Sequence, residues 1–494
     1  MNNKFEEDLK YCHEKRDPKE NLETTPPSDE KIKIPCIWAF EVFPPEYIEN
    51  FHKSIEKLGW VEEKLEGLDY FQETLHNMRH QNYAGGWINL GYIVDESTKN
   101  IMPGVRKGKL PKEVKQINAS IFQPIPSTTI LICQFIFQDE LACNIEKILR
   151  KEYKTYLQEN KKSVSFISSE NQKRNAIKLE LEFLNSICSN WLKENFNGLY
   201  SSTFINENHP VCNLITLKKN TPFEKNDDTN HYNSYLSILN LNNEYDGWID
   251  KEQNGLYLSI SSNRDSVRKN LVLSYNEQSN QILEDENIKF YGNNKASATL
   301  NSLTHSLDNT LGTWVLYVLL NSYSYKINDL RDLYGKSNKK SLKQSISTLS
   351  ELDYEVLQAQ KNIIPFISEM KHFCKDNFSF MHNIKEFISL ENKTDKPSEL
   401  FKNIKGSIKF QIELLEQNQK MLKETSTSVR EVNGLLVSDK IAETNIKLQK
   451  SIKWMTIVIL ILTCITTFYS LPDDKRENIT SYFQNLLKNK RNVF

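Results

Sequence analysis

Residues 454–471 read WMTIVILILTCITTFYSL, eighteen residues without a charge, at the lower edge of the length that crosses a bilayer core of about 30 Å. Lys447, Lys450 and Lys453 precede the run, and Asp473, Asp474, Lys475 and Arg476 follow it. Trp454 and Tyr469 stand where aromatic side chains collect at membrane interfaces. A buried core helix is the competing reading, but globular cores rarely need such a run bounded by charge. One transmembrane helix is therefore expected here. The other apolar run, 311–320, is too short to span and reads as a core helix.

Working back from the span, Phe401, Ile408, Leu415, Leu422, Val429 and Leu436 repeat every seven residues. Three positions later in each repeat stand Ile404, Gln411, Asn418, Thr425 and Val432. This is the pattern of a coiled coil whose polar middle layers fix register and copy number. It also suits one wide face, with Leu414, Met421 and Leu435 beside it, packed on a helix of the same chain; the two arrangements are compatible. A helix unbroken from Ser398 through the span would reach roughly 100 Å at 1.5 Å per residue, with Gly434 its one weak point.

Further upstream the character changes. Residues 36–43 (CIWAFEVF) read as a buried strand between Pro35 and Pro44, and Ile48, Phe51, Ile55 and Leu58 as a helix face ending at Gly59. Residues 69–80 suggest a helix, and 87–94 a strand. Residues 114–137 suggest two strands broken at PIPS, the second central in a sheet. Asp139 begins a helix whose face takes in Leu141, Ile145, Ile148, Leu149 and Tyr156, and another helix carries Ile177, Leu181, Leu184, Cys188 and Trp191. Short strands are expected at 256–260 and 271–275, and none after Ser297. The fold class is thus an α/β cytosolic domain with a mixed sheet, then a long α-helical coiled-coil stalk and a C-terminal transmembrane helix. The divisions are a disordered N-terminus (1–33), the α/β domain (34–296), a helical region kinked at Pro365 (297–396), the stalk (397–453), the span (454–471) and an amphipathic tail (472–494).

The chain has 494 residues, with 63 Lys and Arg against 64 Asp and Glu. Such balance disfavours duplex nucleic acid as a partner, because phosphate neutralisation needs a basic excess. Eight cysteines without a CxxC pair suit a reducing compartment. The phosphate-loop pattern fails at Leu330, where Gly335-Lys336-Ser337 would need an earlier glycine, and no GxGxxG after a strand, GxSxG or HExxH occurs. No catalytic residues, no cofactor and no metal site are expected. His76 and His80 lie one helical turn apart without a third ligand, and His372, Cys374 and His382 form only a loose cluster.

Two groups of residues carry the functional expectations. Arg150, Lys151 and Lys154, then Lys173 and Arg174, then Arg264, Arg268 and Lys269 would bind a phosphate-bearing ligand if the fold gathered them; solvated helix ends and a charged turn are the plainer reading. Within the span, Thr456, Thr463, Thr467 and Ser470 fall within about 60° of one another at 100° per residue, one hydroxylated face. In an oligomer that face would line a pore; alternatively each hydroxyl bonds its own backbone or a neighbouring helix. Asp473 and Asp474 would then ring its outer end.

The junction from Asn445-Ile446-Lys447 through Ile452-Lys453-Trp454-Met455-Thr456-Ile457 is similar to the stalk-to-first-span sequence of the CorA family of divalent-cation channels, and the order of domains also resembles that family. The resemblance implies a homopentamer whose first span lines a pore. Tyr469-Ser470-Leu471-Pro472 replaces the family's Gly-Met-Asn signature, no second span follows, and Ile479, Tyr482, Phe483, Leu486 and Leu487 make the tail an interfacial helix. Divergent CorA-like proteins include membrane effectors of bacterial antiviral systems gated by a nucleotide messenger. The expectation is a non-enzymatic, single-pass protein of a bacterial inner membrane, its N-terminal domain cytoplasmic, homo-oligomeric, in contact with lipid, and responsive to a small nucleotide. The alternative is a tail-anchored coiled-coil scaffold without a pore.

Overall fold

The computed structural model describes residues 2–60, 68–80, 86–99, 105–160, 163–204, 208–223, 234–242, 247–252, 255–260, 270–278, 288–289, 293–337, 342–375, 384–390 and 397–491. They divide into two compact units: Met1–Asn328 with Val356–Gln419, and Asp329–Glu355 with Lys420–Phe494.

The first unit is built on a ten-stranded sheet. Its strands are β1 (Ile32–Phe43), β2 (Gly86–Asp95), β3 (Val105–Gly108), β4 (Val114–Ile125), β5 (Thr128–Phe137), β8 (Val211–Leu217), β9 (Gly247–Asp250), β10 (Leu256–Ile260), β11 (Asn270–Asn276) and β12 (Phe387–Ser389), in the order β12-β9-β10-β11-β8-β1-β5-β4-β2-β3. Separate from it, β6 (Tyr156–Asn160) and β7 (Ser163–Ile167) form a hairpin. The large sheet is mixed, since β8 pairs parallel with β11, and β2 with β3, while the other neighbours are antiparallel.

Strand alternation sends Ile37, Ala39 and Phe43 of β1, Ile117, Ala119 and Ile121 of β4, and Leu131, Cys133 and Phe135 of β5 to one face. There they meet Phe51 and Ile55 of α3 (Ile48–Lys57), Ile145 and Leu149 of α6 (Asn144–Arg150), and Ile177, Leu184, Cys188 and Trp191 of α7 (Ser169–Asn195). Each fully buried Ile, Leu or Phe among them contributes about 1.5–3 kcal/mol. The opposite face is covered by α10 (Lys295–Ser337), where Phe40 meets Trp314 edge-on at 5.9 Å. Gly312 makes this approach possible, because a Cβ there would stand 2.1 Å from the Phe122 ring. Leu311, Val315, Leu316, Val318, Leu319 and Leu320 are all buried, as expected of a helix apolar on every side. The result is three layers: helices, sheet, helix.

The remaining helices are α1 (Asn2–Tyr11), α2 (Asp17–Glu23), α4 (Leu68–His80), α5 (Asp139–Ala142), α8 (Leu199–Ser202), α9 (Ser234–Ile238), α11 (Leu342–Lys375), α12 (Leu400–Ser470) and α13 (Asp473–Arg491). Pro365 lies inside α11, which continues past it. α12 is unbroken for 71 residues, Gly434 included.

Several expectations need correction. The N-terminus is helical where disorder is expected, because polar groups far apart in sequence hold it. Asp17 accepts from the backbone N–H and hydroxyl of Thr155, and Asn21 exchanges two hydrogen bonds with the backbone of Tyr153. Glu20 accepts from Ser169 and from the backbone N–H of Glu170 at the start of α7. Tyr156 belongs to β6 and not to a helix face, since the helix ends at Arg150. A strand does follow Ser297: β12 pairs with β9, and Lys385 beside it donates to the buried Asp250 at 3.1 Å.

The seven-residue repeat of α12 is occupied within the chain over much of its length. Ile408 and Leu415 are buried in the first unit, and Leu422 and Val429 in the second. α11 runs antiparallel beside it, paired through Lys371 to Glu416 within the first unit and through Asp353 to Arg430 within the second. The polar layer residues Gln411 and Asn418 are buried with them. A coiled coil between copies is not needed to cover this stripe.

Candidate functional site

Beyond Val429 no described side chain of α12 is buried. Ile459, Leu460, Ile461 and Leu462 are open to solvent in the single chain, and this one helix is long and apolar enough to cross a membrane by length and composition. Burying this run of Ile, Leu and Val in lipid removes the penalty of exposing them to water, and the helix already pairs every interior backbone group.

The hydroxylated face is satisfied locally. Thr456 donates to the Ile452 carbonyl at 2.8 Å, Thr463 to Ile459 at 2.7 Å, Thr467 to Thr463 at 2.7 Å, and Ser470 to Thr467 at 2.8 Å. A lone pair on each oxygen stays available to water, an ion or a neighbouring helix. The helix stops at Leu471-Pro472, where Arg476 donates to the Leu471 carbonyl at 2.8 Å and pairs with Asp473 at 3.1 Å. A basic side chain at a helix end meets unpaired carbonyls and the negative end of the dipole. In α13, Tyr482 and Phe483 are exposed.

The basic residues of the sheet domain have mostly internal work. Arg150 donates to Glu146 at 2.8 Å and to the carbonyls of Pro26, Pro27 and Glu30 at 3.0, 2.9 and 2.8 Å. Arg174 holds the Ser237 carbonyl at 3.0 Å and Glu170 at 2.9 Å. Lys173 is wholly buried, its Nζ 3.3 Å from the Thr25 hydroxyl, and burial pulls its pKa down to about 8. Lys151 lies over the Tyr153 ring at 5.4 Å, and Lys154 is exposed. Arg264, Arg268 and Lys269 lie outside the described residues, as does His382. The His80 ring bonds the His76 carbonyl, and among the described residues no three His, Cys, Asp or Glu side chains converge on a metal position.

A basic hollow unread in the sequence lies between α3 and the end of α7. It encloses about 240 Å³ and is lined by Asn50, Lys53, Lys57, Lys193, Glu194 and Asn197. The spacing of Lys53 and Lys57 on one helix face is a local signal, but Lys193 comes from a helix 140 residues away. Deeper in the domain, His209 and Glu41 are fully buried 3.1 Å apart. His209 also contacts the hydroxyls of Ser189 at 3.2 Å and Ser201 at 3.3 Å, while Glu41 accepts from the backbone N–H groups of Tyr200 and Ser201. The residue types are those of a hydrolase triad; Ser189, His209 and Glu41 are buried, Ser201 is half-buried, and the network joins α7, β1 and α8.

Compared with known proteins, the chain matches no protein-family model and no curated protein.

Proposed function

We propose that the chain is a membrane-anchored, oligomeric sensor and effector: its sheet domain lies on the cytoplasmic side, binds a small anionic ligand of the nucleotide class, and alters a pore or the bilayer through α12. One observation carries the reading. The helix that supplies Ile408, Ile412 and Leu415 to buried positions continues without a break into residues 454–470, whose described side chains are exposed apart from the half-buried Phe468. The hollow at Lys53, Lys57 and Lys193 supports an anionic ligand. A CorA-like pore and an antiviral setting rest on the resemblance of residues 445–457 alone.

The test is ion leak from liposomes holding the full chain, with a panel of nucleotides, for wild type and the Thr463→Leu, Thr467→Leu variant. Nucleotide-dependent leak that the variant loses supports the pore. The tail-anchored scaffold is the second reading, favoured by the hydroxyls that already bond their own helix and need no water in lipid. A chain that floats with liposomes yet leaks under no condition sustains the scaffold and ends the pore.

A further inference from the structure

Between Glu431 and Lys453 none of the described side chains of α12 is buried, and only Val437 is half-buried. In a protein most of a helix's stability comes from packing an amphipathic face. The charged side chains here are sorted. At about 100° per residue, Ile441, Asn445, Leu448, Ile452 and Met455 share one stripe. Asp439, Glu443, Lys447, Lys450 and Lys453 fall on the opposite side, where Lys447 pairs with Glu443 at 2.8 Å. The flanks of the stripe carry Ala442, Thr444, Gln449 and Ser451, and the one charge beside them, Lys440, precedes its first residue. Its steps of four, three, four and three residues average the 3.5 of a coiled-coil seam, and Ile441, Leu448, Ile452 and Met455 are each about half exposed.

We propose that residues 441–455 form a self-association seam whose partner is a second copy of this chain, parallel and in register. This rests on the membrane anchoring proposed above for its orientation: copies held in one bilayer by the same span present identical residues at identical height. The charge sorting selects a second copy, because every charged side chain within 441–455 points away from the seam and identical helices meet there without repulsion. Asn445 facing Asn445 provides a hydrogen-bonded layer that penalises slipped registers. The seam is distinct from the repeat at Ile408 to Val429, which the chain buries itself. It also orients the span. Thr456, Thr463 and Ser470 lie within about 60° of the stripe on a straight helix, so association through the seam turns the hydroxyls toward the assembly axis and away from lipid.

Single cysteines test this in the full chain in membranes, with the half-buried Cys143 and exposed Cys464 replaced by serine. Ile441→Cys and Leu448→Cys should give disulfide-linked dimers on mild oxidation, several-fold more than Glu443→Cys and Lys450→Cys. Leu448→Asp should return the chain to monomers. Equal crosslinking at all four positions, absence of crosslinks, or adducts with a protein of different mass overturns the seam. Flotation with liposomes is read on the same samples. A chain that floats without seam crosslinks loses the seam and keeps the anchor, whereas one that crosslinks at Leu448 without floating keeps the seam and loses the anchor.

Discussion

Arg430 of α12 grips Asp353 of α11 at 2.6 Å, and Tyr334 of α10 donates its hydroxyl to the same carboxylate. One carboxylate thus ties segments of three helices within the second unit beside Val429, the last of the described side chains of α12 to be buried. Burial, with Asp353 adjacent, pushes the Tyr334 phenol up and keeps it a donor, while Asp353 holds the Arg430 guanidinium charged. Arg430 is more than half exposed, so Arg430→Ala should cost less than about 1 kcal/mol. Asp353→Ala also takes the carboxylate acceptor from the buried Tyr334 hydroxyl and should cost about 1–3 kcal/mol. Thermal unfolding followed by helical circular dichroism checks the order, and equal losses would contradict it.

Asp308 of α10 faces the sheet with one oxygen bonded to Ser120 at 2.9 Å and the other without a partner. Burial raises its pKa from 3.8 to about 7. Between those values the folded chain holds a proton that the unfolded chain releases, so this group's contribution falls as pH rises through the window and its penalty is complete above pH 7. Asp308→Asn keeps an acceptor for Ser120 and should stabilise the protein by roughly 1–3 kcal/mol at pH 8, with the gain vanishing near pH 4. Unfolding midpoints at the two pH values measure it.

Lys173 gives the opposite slope. Its pKa falls from 10.5 to about 8 on burial, partly offset by Glu152. From about pH 8 to 10.5 the unfolded chain binds more protons than the folded one, so stability rises with pH across that range and the full cost of the buried charge is felt below it. Lys173→Met should raise the melting temperature at pH 7, by roughly 1–3 kcal/mol of stability, and lose that advantage by pH 10.

The N-terminal segment should come away as a unit. Glu30 is buried and accepts from the backbone N–H groups of Lys218, Lys219 and Asn220, the first at 2.6 Å and the last at 2.7 Å. Glu30→Ala takes the acceptor from the backbone N–H groups of Lys219 and Asn220, and Arg150→Ala removes a donor from the carbonyls of Pro26, Pro27 and Glu30. Either change should open residues 2–30 to limited proteolysis while the sheet stays folded, at a cost of about 1–3 kcal/mol. Cleavage within the sheet at the same rate would refute this.

Legibility followed the range of the forces involved. Residues 256–260 and 271–275 announce strands because β-branched and aromatic residues cluster between polar breaks, and the observed β10 and β11 match them. The pair β4 and β5, read as two strands from alternation before PIPS and a nearly all-apolar run after it, is of the same kind. Residues 2–23 mislead because their order comes from Asp17, Glu20 and Asn21 meeting partners more than 130 residues away. The cation cluster was legible as charge alone; only the fold reveals that Arg150 clamps a loop and that Lys173 never meets solvent.

By itself the sequence determined the charge-free run at 454–471, the helical period that leads into it, and the segregation of charge around Ile441, Leu448 and Ile452, because each depends on neighbours a few residues apart. The tertiary structure decided which stripe of α12 is spent inside the chain. Ile408 to Val429 carry the more regular repeat, yet they are covered by the chain's own body, whereas the stripe from Ile441 onward is left open. Periodicity states that a helix has a face to bury; which surface buries it depends on what the rest of the chain brings alongside.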